Sequence, residues 1–267
     1  MSKAKLPTTA QDHWQCLSQF TAARIALGRT GMSLPTRATL EFQLAHALAR
    51  DAVNIPLDFN RLEQRLTALG HPSLALQTRA ENHAMYLQRP DLGRLLSDPA
   101  MARLQNGAQK QADAVIVVAD GLSSTAIEHH AVPFLQLLLP ELYAIDQQLP
   151  PVFLVKHGRV AIGDVIAGHC AARHCIVLIG ERPGLSSPDS MGIYFTYQAQ
   201  PGISTDADRN CISNIHANGL GYRQALKKLL YLIHEAEKLQ LSGINLKDET
   251  TDAGLDNQQQ QANFLLD

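Results

Sequence analysis

No stretch of this chain approaches the roughly 20 consecutive apolar residues needed to span a bilayer. Its opening, MSKAKLPTTAQDHW, has neither an apolar core nor a small-residue cleavage pattern. Both absences point away from a membrane anchor and from secretion. Aromatic residues make up only 5% of the chain and charged ones 18%, against 45% hydrophobic; a disordered chain would invert that balance. The formal net charge of −2 supplies no phosphate-tracking surface, and the densest basic pair, Lys227 and Lys228, stands alone, so no nucleic-acid partner is expected. The four cysteines, Cys16, Cys170, Cys175 and Cys211, match neither a CxxC redox motif nor a zinc knuckle. They are expected to be free thiols in a reducing compartment, with Cys16, Cys170 and Cys175 as small buried residues.

Signatures of self-contained catalysis are missing as well. Gly219 and Gly221 begin a GxGxxG, but Gln224 occupies the third glycine position and the preceding CISNIHAN reads as a poor strand. There is no Walker lysine, no GxSxG elbow, no HExxH and no paired Cys/His spacing. His129 and His130 are adjacent on an expected helix, where side chains one residue apart do not face a common site. From the residues alone, no catalytic group and no metal ligand is assigned.

Two short apolar runs, each spilling into the same turn, are present instead. Asp113–Ser124 reads DAVIVVADGLSS and Cys175–Ser187 reads CIVLIGERPGLSS. Each has the length and β-branched content of a strand buried on both faces, and each leads through an acidic residue to Gly-Leu-Ser-Ser. Open α/β sheets bind ligands beyond the carboxyl ends of their strands, which puts Asp120 and Glu181 on that rim. Carboxylates there disfavour a pyrophosphate and favour a ligand rich in N–H donors. Two plainer readings remain open: Asp120 caps its helix or fixes the turn, and Glu181 pairs with Arg182.

The chain divides into three parts. Residues 1–105 read as a helical N-terminal region, with helices at Cys16–Leu27, Thr36–Ala49 and Arg61–Leu69, the last ended by Gly70. Arg29 lies on the intervening GRTGMSLPT loop, either solvated or anchoring a partner. Residues 106–247 alternate strands (Ala114–Ala119, Val152–Val155, Cys175–Ile179, Gly192–Gln198) with helices (from about Thr125, Ile162–Ala172, Tyr222–Leu241). The fold class is therefore α/β, a Rossmann-like, mostly parallel sheet flanked by helices. Pro133 and Pro140 are expected to kink or split the first of those helices. The last carries an apolar stripe of Leu226, Leu229, Leu230, Ile233 and Leu239, read as core. Residues 248–267 form a polar, Gln-rich tail, expected to be mobile.

Longer strings carry a resemblance. Arg89–Leu96 (RPDLGRLL), Val118–Pro133 (VADGLSSTAIEHHAVP), His157–Asp164 (HGRVAIGD), Leu178–Tyr197 (LIGERPGLSSPDSMGIYFTY), Asp206–Ile215 (DADRNCISNI) and Ser242–Lys247 (SGINLK) closely resemble the light chain, or small subunit, of ethanolamine ammonia-lyase. The blocks come in the family's order, with GRTG near the start matching too. The resemblance implies an adenosylcobalamin-dependent lyase that converts ethanolamine to acetaldehyde and ammonia. It also implies a TIM-barrel large subunit as partner, in a hexamer of heterodimers, with this chain closing over the cofactor and inactive alone. The family's cobalamin contacts, the valine of GRV, the glutamate of GERPG and the cysteine of NCIS, fall on Val160, Glu181 and Cys211.

A carboxylate such as Glu181 suits the amide fringe of a corrin, and Val160 offers backbone groups and an apolar contact. Cys211, read as lying outside regular structure, permits close approach. No DxHxxG histidine is present, which implies a cofactor that keeps its own lower axial base. Residues 1–105 are expected to contact the large subunit, with the roles of Arg29 and Arg94 open. Only a short polar stretch precedes Gln15, so a cytoplasmic complex is favoured over the lumen of a bacterial microcompartment. Two other readings compete: an independent α/β enzyme using Asp120, Ser123 and Glu181 on a sugar or nucleoside, and a carrier that binds cobalamin without a partner.

Overall fold

The computed structural model describes residues 12–21, 23–107, 111–145 and 148–250. Its centre is a six-stranded sheet in the order β1-β3-β2-β4-β5-β6. β2 (Ala114–Ala119), β3 (Val152–Lys156) and β4 (His174–Gly180) are runs of Val, Ile, Leu and Ala buried on both faces, as parallel strands between two helical layers must be. Together with β1 (Ser73–Gln77) they form the parallel part. β5 (Met191–Tyr197) runs antiparallel to β4, and β6 (Arg209–Ile215) antiparallel to β5. The α/β sheet expected from the alternation is thus present, with two antiparallel additions at one edge.

Unequal helical layers flank the sheet. On one face α2 (Phe59–Ala68), α5 (Ser124–Ala144) and α7 (Tyr222–Leu239) bury Leu62, Leu66, Phe134, Leu138, Leu229 and Ile233 against every part of the sheet. On the other, α4 (Asp98–Gly107) and α6 (Ile162–Cys170) bury Leu104, Ile162, Ile166 and Cys170 against β1 to β4. Beyond them, among the described residues, no helix covers that side of β5 and β6. α1 (Thr36–Asn54) lies outside α5 and buries only Ala49 and Ala52, leaving Leu40, Phe42, Leu44 and Leu48 exposed, and the short α3 (His83–Gln88) buries Tyr86.

Several expectations are corrected. Region 1–105 is not wholly helical, because β1 lies within it; as an edge strand with only Leu76 buried, it shows no continuous apolar run. The helix expected over Cys16–Leu27 is a 3-10 helix over His13–Phe20 followed by extended chain. Trp14 and Phe20 are exposed there, so no buried face repays the cost of ordering a longer helix. Cys16, expected in the core, is exposed for the same reason. α5 runs unbroken through Pro133 and Pro140, with ten of its residues buried among its neighbours. In α7 the buried stripe takes in Ala225, Leu232 and Ala236, while Leu239 is half exposed. The tail from Thr251 onward lies outside the described residues.

One buried ion pair joins the two-helix layer to β6. Arg209 Nη1 and Nη2 donate to Asp164 Oδ1 and Oδ2 at 2.7 and 2.8 Å, and both side chains are about 4% exposed. This fork geometry reaches from the first turn of α6 across β5 to the start of β6. Replacing Asp164 by Asn leaves the buried guanidinium with only the exposed Asp206 carboxylate, 3.4 Å from its Nε, and is expected to cost about 3 kcal/mol in urea denaturation. The double change Asp164→Leu with Arg209→Met should recover most of that loss.

Candidate functional site

In a doubly wound sheet the ligand crevice opens where adjacent strands send their following helices to opposite faces. Here that point lies between β2, which leads to α5, and β3, which leads to α6. Asp120 fills it. Its carboxylate is buried and accepts N–H donors from His157 at 2.9 Å, Gly158 at 3.2 Å and Gly121 at 3.0 Å. Asp120 therefore fixes the turn and bridges two strand ends, and Ser123, not Asp120, caps α5 through its Oγ on Ala126 N. The crevice that would suggest a nucleotide is occupied by the protein itself.

The two Gly-Leu-Ser-Ser turns interlock. Leu122 N donates to Gly180 O at 2.9 Å, and Ser123 Oγ donates to Pro188 O at 2.9 Å. Gly121 sits at φ +63°, and a Cβ there would stand 2.3 Å from Gly180 O. A side chain at either glycine would force the turns apart.

Glu181 and Cys211 stand instead on the face of β5 and β6 that α4 and α6 leave uncovered, while Val160 lies at the start of α6. Glu181 follows β4 and leans over β5, where a Cβ on Gly192 would come 2.8 Å from its Oε1. Its carboxylate takes the Ser190 hydroxyl and the Asn214 N–H, the latter at 3.2 Å from Oε2. No ion pair forms between Glu181 and Arg182 among the described residues; the expected alternative for this carboxylate does not hold. Asn214 is held at φ +65° by the bend that ends β6.

Cys211 lies within regular structure, in the middle of β6, directly beside Tyr194 of β5. This corrects its expected place in a loop. β6 was hard to read because its burial follows Arg209, Ile212 and Ile215, shifted by a register irregularity opposite Met191 and Ile193. Val160 stands just before α6, half-buried against the two-helix core. The preceding Arg159 fixes it: its N–H bonds Gly93 O at 2.8 Å, its Nη2 bonds Tyr86 O at 2.9 Å, and its guanidinium lies 4.1 Å above the Tyr86 ring. Gly93 is packed so closely under Arg159 that a Cβ would meet it at 2.8 Å. The RPDLGR and HGRV strings are thus one structural unit. Arg29 and Arg94 both stay exposed.

Tyr194 and the Asp164–Arg209 pair, which floors the shelf below it, were not singled out from the sequence. Residue alternation in GIYFTY does place Tyr194 opposite its buried neighbours, but only the strand register puts it against Cys211. Burial, with the thiol and the Glu181 carboxylate nearby, pushes the Tyr194 hydroxyl well above its ordinary range. Packing around Sγ and the Glu181 charge likewise raise Cys211, while the Tyr194 hydroxyl works against them. The shelf therefore offers one carboxylate, a neutral phenol and a neutral thiol. Among the described residues, no histidine or lysine acts on Cys211 to make it a nucleophile.

A family model for ethanolamine ammonia-lyase light chain (EutC) matches residues 11–247. The chain belongs to this family. It is 52% identical over 272 residues, covering 98% of both chains, to the ethanolamine ammonia-lyase small subunit of Pseudomonas fluorescens strain Pf0-1. Against the small subunit of Pseudomonas aeruginosa strain LESB58 it is 50% identical over 271 residues, covering 100% of this chain and 99% of the relative. The Pseudomonas putida strain KT2440 small subunit is 50% identical over 264 residues, with 97% of each covered. Among the described residues no helix is long and apolar enough to cross a membrane.

The charge coupling on the shelf has a measurable consequence. A neighbouring carboxylate disfavours the thiolate, so Glu181→Gln should lower the Cys211 pKa from its raised position, above the ordinary 9.0. Iodoacetamide labelling of Cys211, followed by peptide mass spectrometry between pH 7 and about 10, should shift to lower pH in that variant. An unchanged profile would separate the two groups electrostatically.

Proposed function

We propose that this chain is the small subunit of an adenosylcobalamin-dependent ethanolamine ammonia-lyase, completing the cofactor site at its interface with a larger, TIM-barrel subunit. In that complex ethanolamine is converted to acetaldehyde and ammonia, and this chain alone is inactive. The observation that carries the reading is the uncovered β5–β6 shelf, with Cys211 exposed on it, Glu181 half-buried above it and Val160 at the start of α6. Such a surface is half of a site: open and without a reactive group of its own.

The residues suit the cofactor. A corrin is broad and fringed with amides, and Glu181 is already an acceptor for N–H donors through Asn214. Gly192 lets that carboxylate lie against β5, keeping the shelf low. When bound, the cofactor supplies the radical chemistry. This chain's part is to hold its periphery: Glu181 accepts from amide donors, Val160 gives an apolar edge, and the small Cys211 allows close approach. Ser190, Asn214 and the Asp164–Arg209 pair position those groups. The rival reading, an independent enzyme using Asp120, Ser123 and Glu181, is disfavoured because Asp120 and Ser123 are spent on backbone hydrogen bonds.

The partner surface in this reading is the N-terminal region. Leu40, Leu44 and Leu48 are exposed at four-residue spacing along one face of α1, and Met32 and Leu34 just before the helix are exposed as well. A cytoplasmic hexamer of heterodimers is the assembly we infer, with a microcompartment lumen as the alternative setting.

Co-expression with a large subunit, then size exclusion and adenosylcobalamin titration, tests this. Acetaldehyde release should require both chains. Glu181→Gln should weaken cofactor binding about tenfold or more, the equivalent of one charged hydrogen bond. Leu44→Glu should impair co-elution while leaving the chain's own unfolding midpoint within about 0.5 kcal/mol. Full turnover without this chain would defeat the proposal.

A further inference from the structure

The two Gly-Leu-Ser-Ser loops meet a second time, away from the shelf. Half-exposed His129 and buried His130 lie early in α5, and Asp189 follows the second Gly-Leu-Ser-Ser turn. Adjacent helical residues were not expected to share a target, yet both rings reach one carboxylate oxygen. His129 Nδ1 lies 3.3 Å and His130 Nε2 3.4 Å from Asp189 Oδ2, and the three atoms fall within 4.8 Å of one another. The loop, held to α5 by Ser123 on Pro188 O, brings Asp189 in from the side.

We propose that His129, His130 and Asp189 form a zinc-type metal site that staples the two turns together. Three features carry this beyond a cluster of polar groups. First, ligand atoms about 2.0–2.1 Å from a tetrahedral zinc stand about 3.3 Å from one another, which is the spacing of each histidine nitrogen from Asp189 Oδ2. Second, the His130 side chain is 7% exposed, and its Nε2 is sealed from solvent with no hydrogen-bond partner, although it is aimed at that carboxylate. The Asp189 carboxylate, 3.4 Å away, faces this nitrogen without closing a hydrogen bond to it, which leaves room for an ion that both would ligate. Third, the other nitrogen of the same ring, Nδ1, lies 2.7 Å from the Tyr222 hydroxyl at the start of α7. That is the outer-shell contact that fixes the tautomer and aim of a metal-binding imidazole.

The ligand set of two imidazoles and a carboxylate suits zinc or cobalt(II), and half-exposed His129 leaves the fourth position to water. Burial holds His130 below its ordinary pKa against the pull of the Asp189 carboxylate, the direction that favours the neutral ring a metal requires. Asp189 is followed by Ser190, whose hydroxyl donates to Glu181. A metal here would therefore stiffen the loop that carries the shelf's carboxylate, without touching the shelf.

The test uses the full, tag-free chain stripped with a chelator, and needs neither cobalamin nor a partner. Cobalt(II) titration should give one equivalent with the intense visible d–d absorption of a four-coordinate ion, displaced by zinc. Zinc should also raise the melting temperature. His129→Ala and Asp189→Asn lie outside the core and should fold; each should weaken binding at least about tenfold. Absence of the d–d bands, affinity unchanged in both variants, or a thiolate-to-cobalt charge-transfer band placing the metal on a cysteine would each overturn the proposal.

Discussion

Helix width set against sheet width decides the plan of this molecule. Strands about 4.8 Å apart give the six-stranded sheet a breadth of roughly 24 Å between its outer strands, whereas packed helices lie about 8–10 Å apart. Three helices suffice to close one face. Two close only the parallel part of the other, so among the described residues the antiparallel strands β5 and β6 keep one side bare. What stands on that side follows: Cys211 and Tyr194 from the strands, Glu181 from the loop above, and Val160 from the helix start beside it. The Asp164–Arg209 fork carries the edge of the helical layer across to β6.

The same economy explains why the strand-end rim is not used in the common way. Asp120 gives its carboxylate to three backbone N–H groups at the switch point, and so joins β2 to β3 where another protein of this architecture would admit a phosphate. Similar surroundings lead to opposite uses of the two acidic strand ends. Asp120 is enclosed by its own turn and by His157 and Gly158. Glu181 is half-buried, held by the Ser190 hydroxyl and the Asn214 N–H.

The parts of the fold that were legible in the sequence are those with a strong local signature. β2, β3 and β4 are continuous β-branched runs, and their expected limits hold to within a residue or so. The helices that bury one stripe, α2 and α7, were equally plain. β1 and β6 were not, since edge strands bury few residues and their pattern depends on neighbours distant in sequence. Glu181 was marked out by its place after a buried strand, but Val160 and Cys211 came only through family resemblance, because an isolated Val or Cys has no pattern to announce it. Tyr194 and Arg209 acquire meaning through register, which no local window contains. The shared approach of His129 and His130 to Asp189 was missed for a related reason: spacing on one helix says nothing about a ligand delivered by a loop from elsewhere.

The strand order also has a bearing on how the chain is made. β1 pairs with β3, whose first residue lies 79 positions later, 152 − 73. At about 5–20 residues per second of synthesis, the earliest strand waits several seconds or more before its only neighbour leaves the ribosome. During that interval β1 is an open edge beside the exposed apolar side chains of α1, which gives a nascent chain two surfaces able to find the wrong partner. Short length and a burial pattern with just one closed position make β1 a weak template. Its modest hydrophobicity, which hid it from the sequence, also protects the chain while it is unfinished.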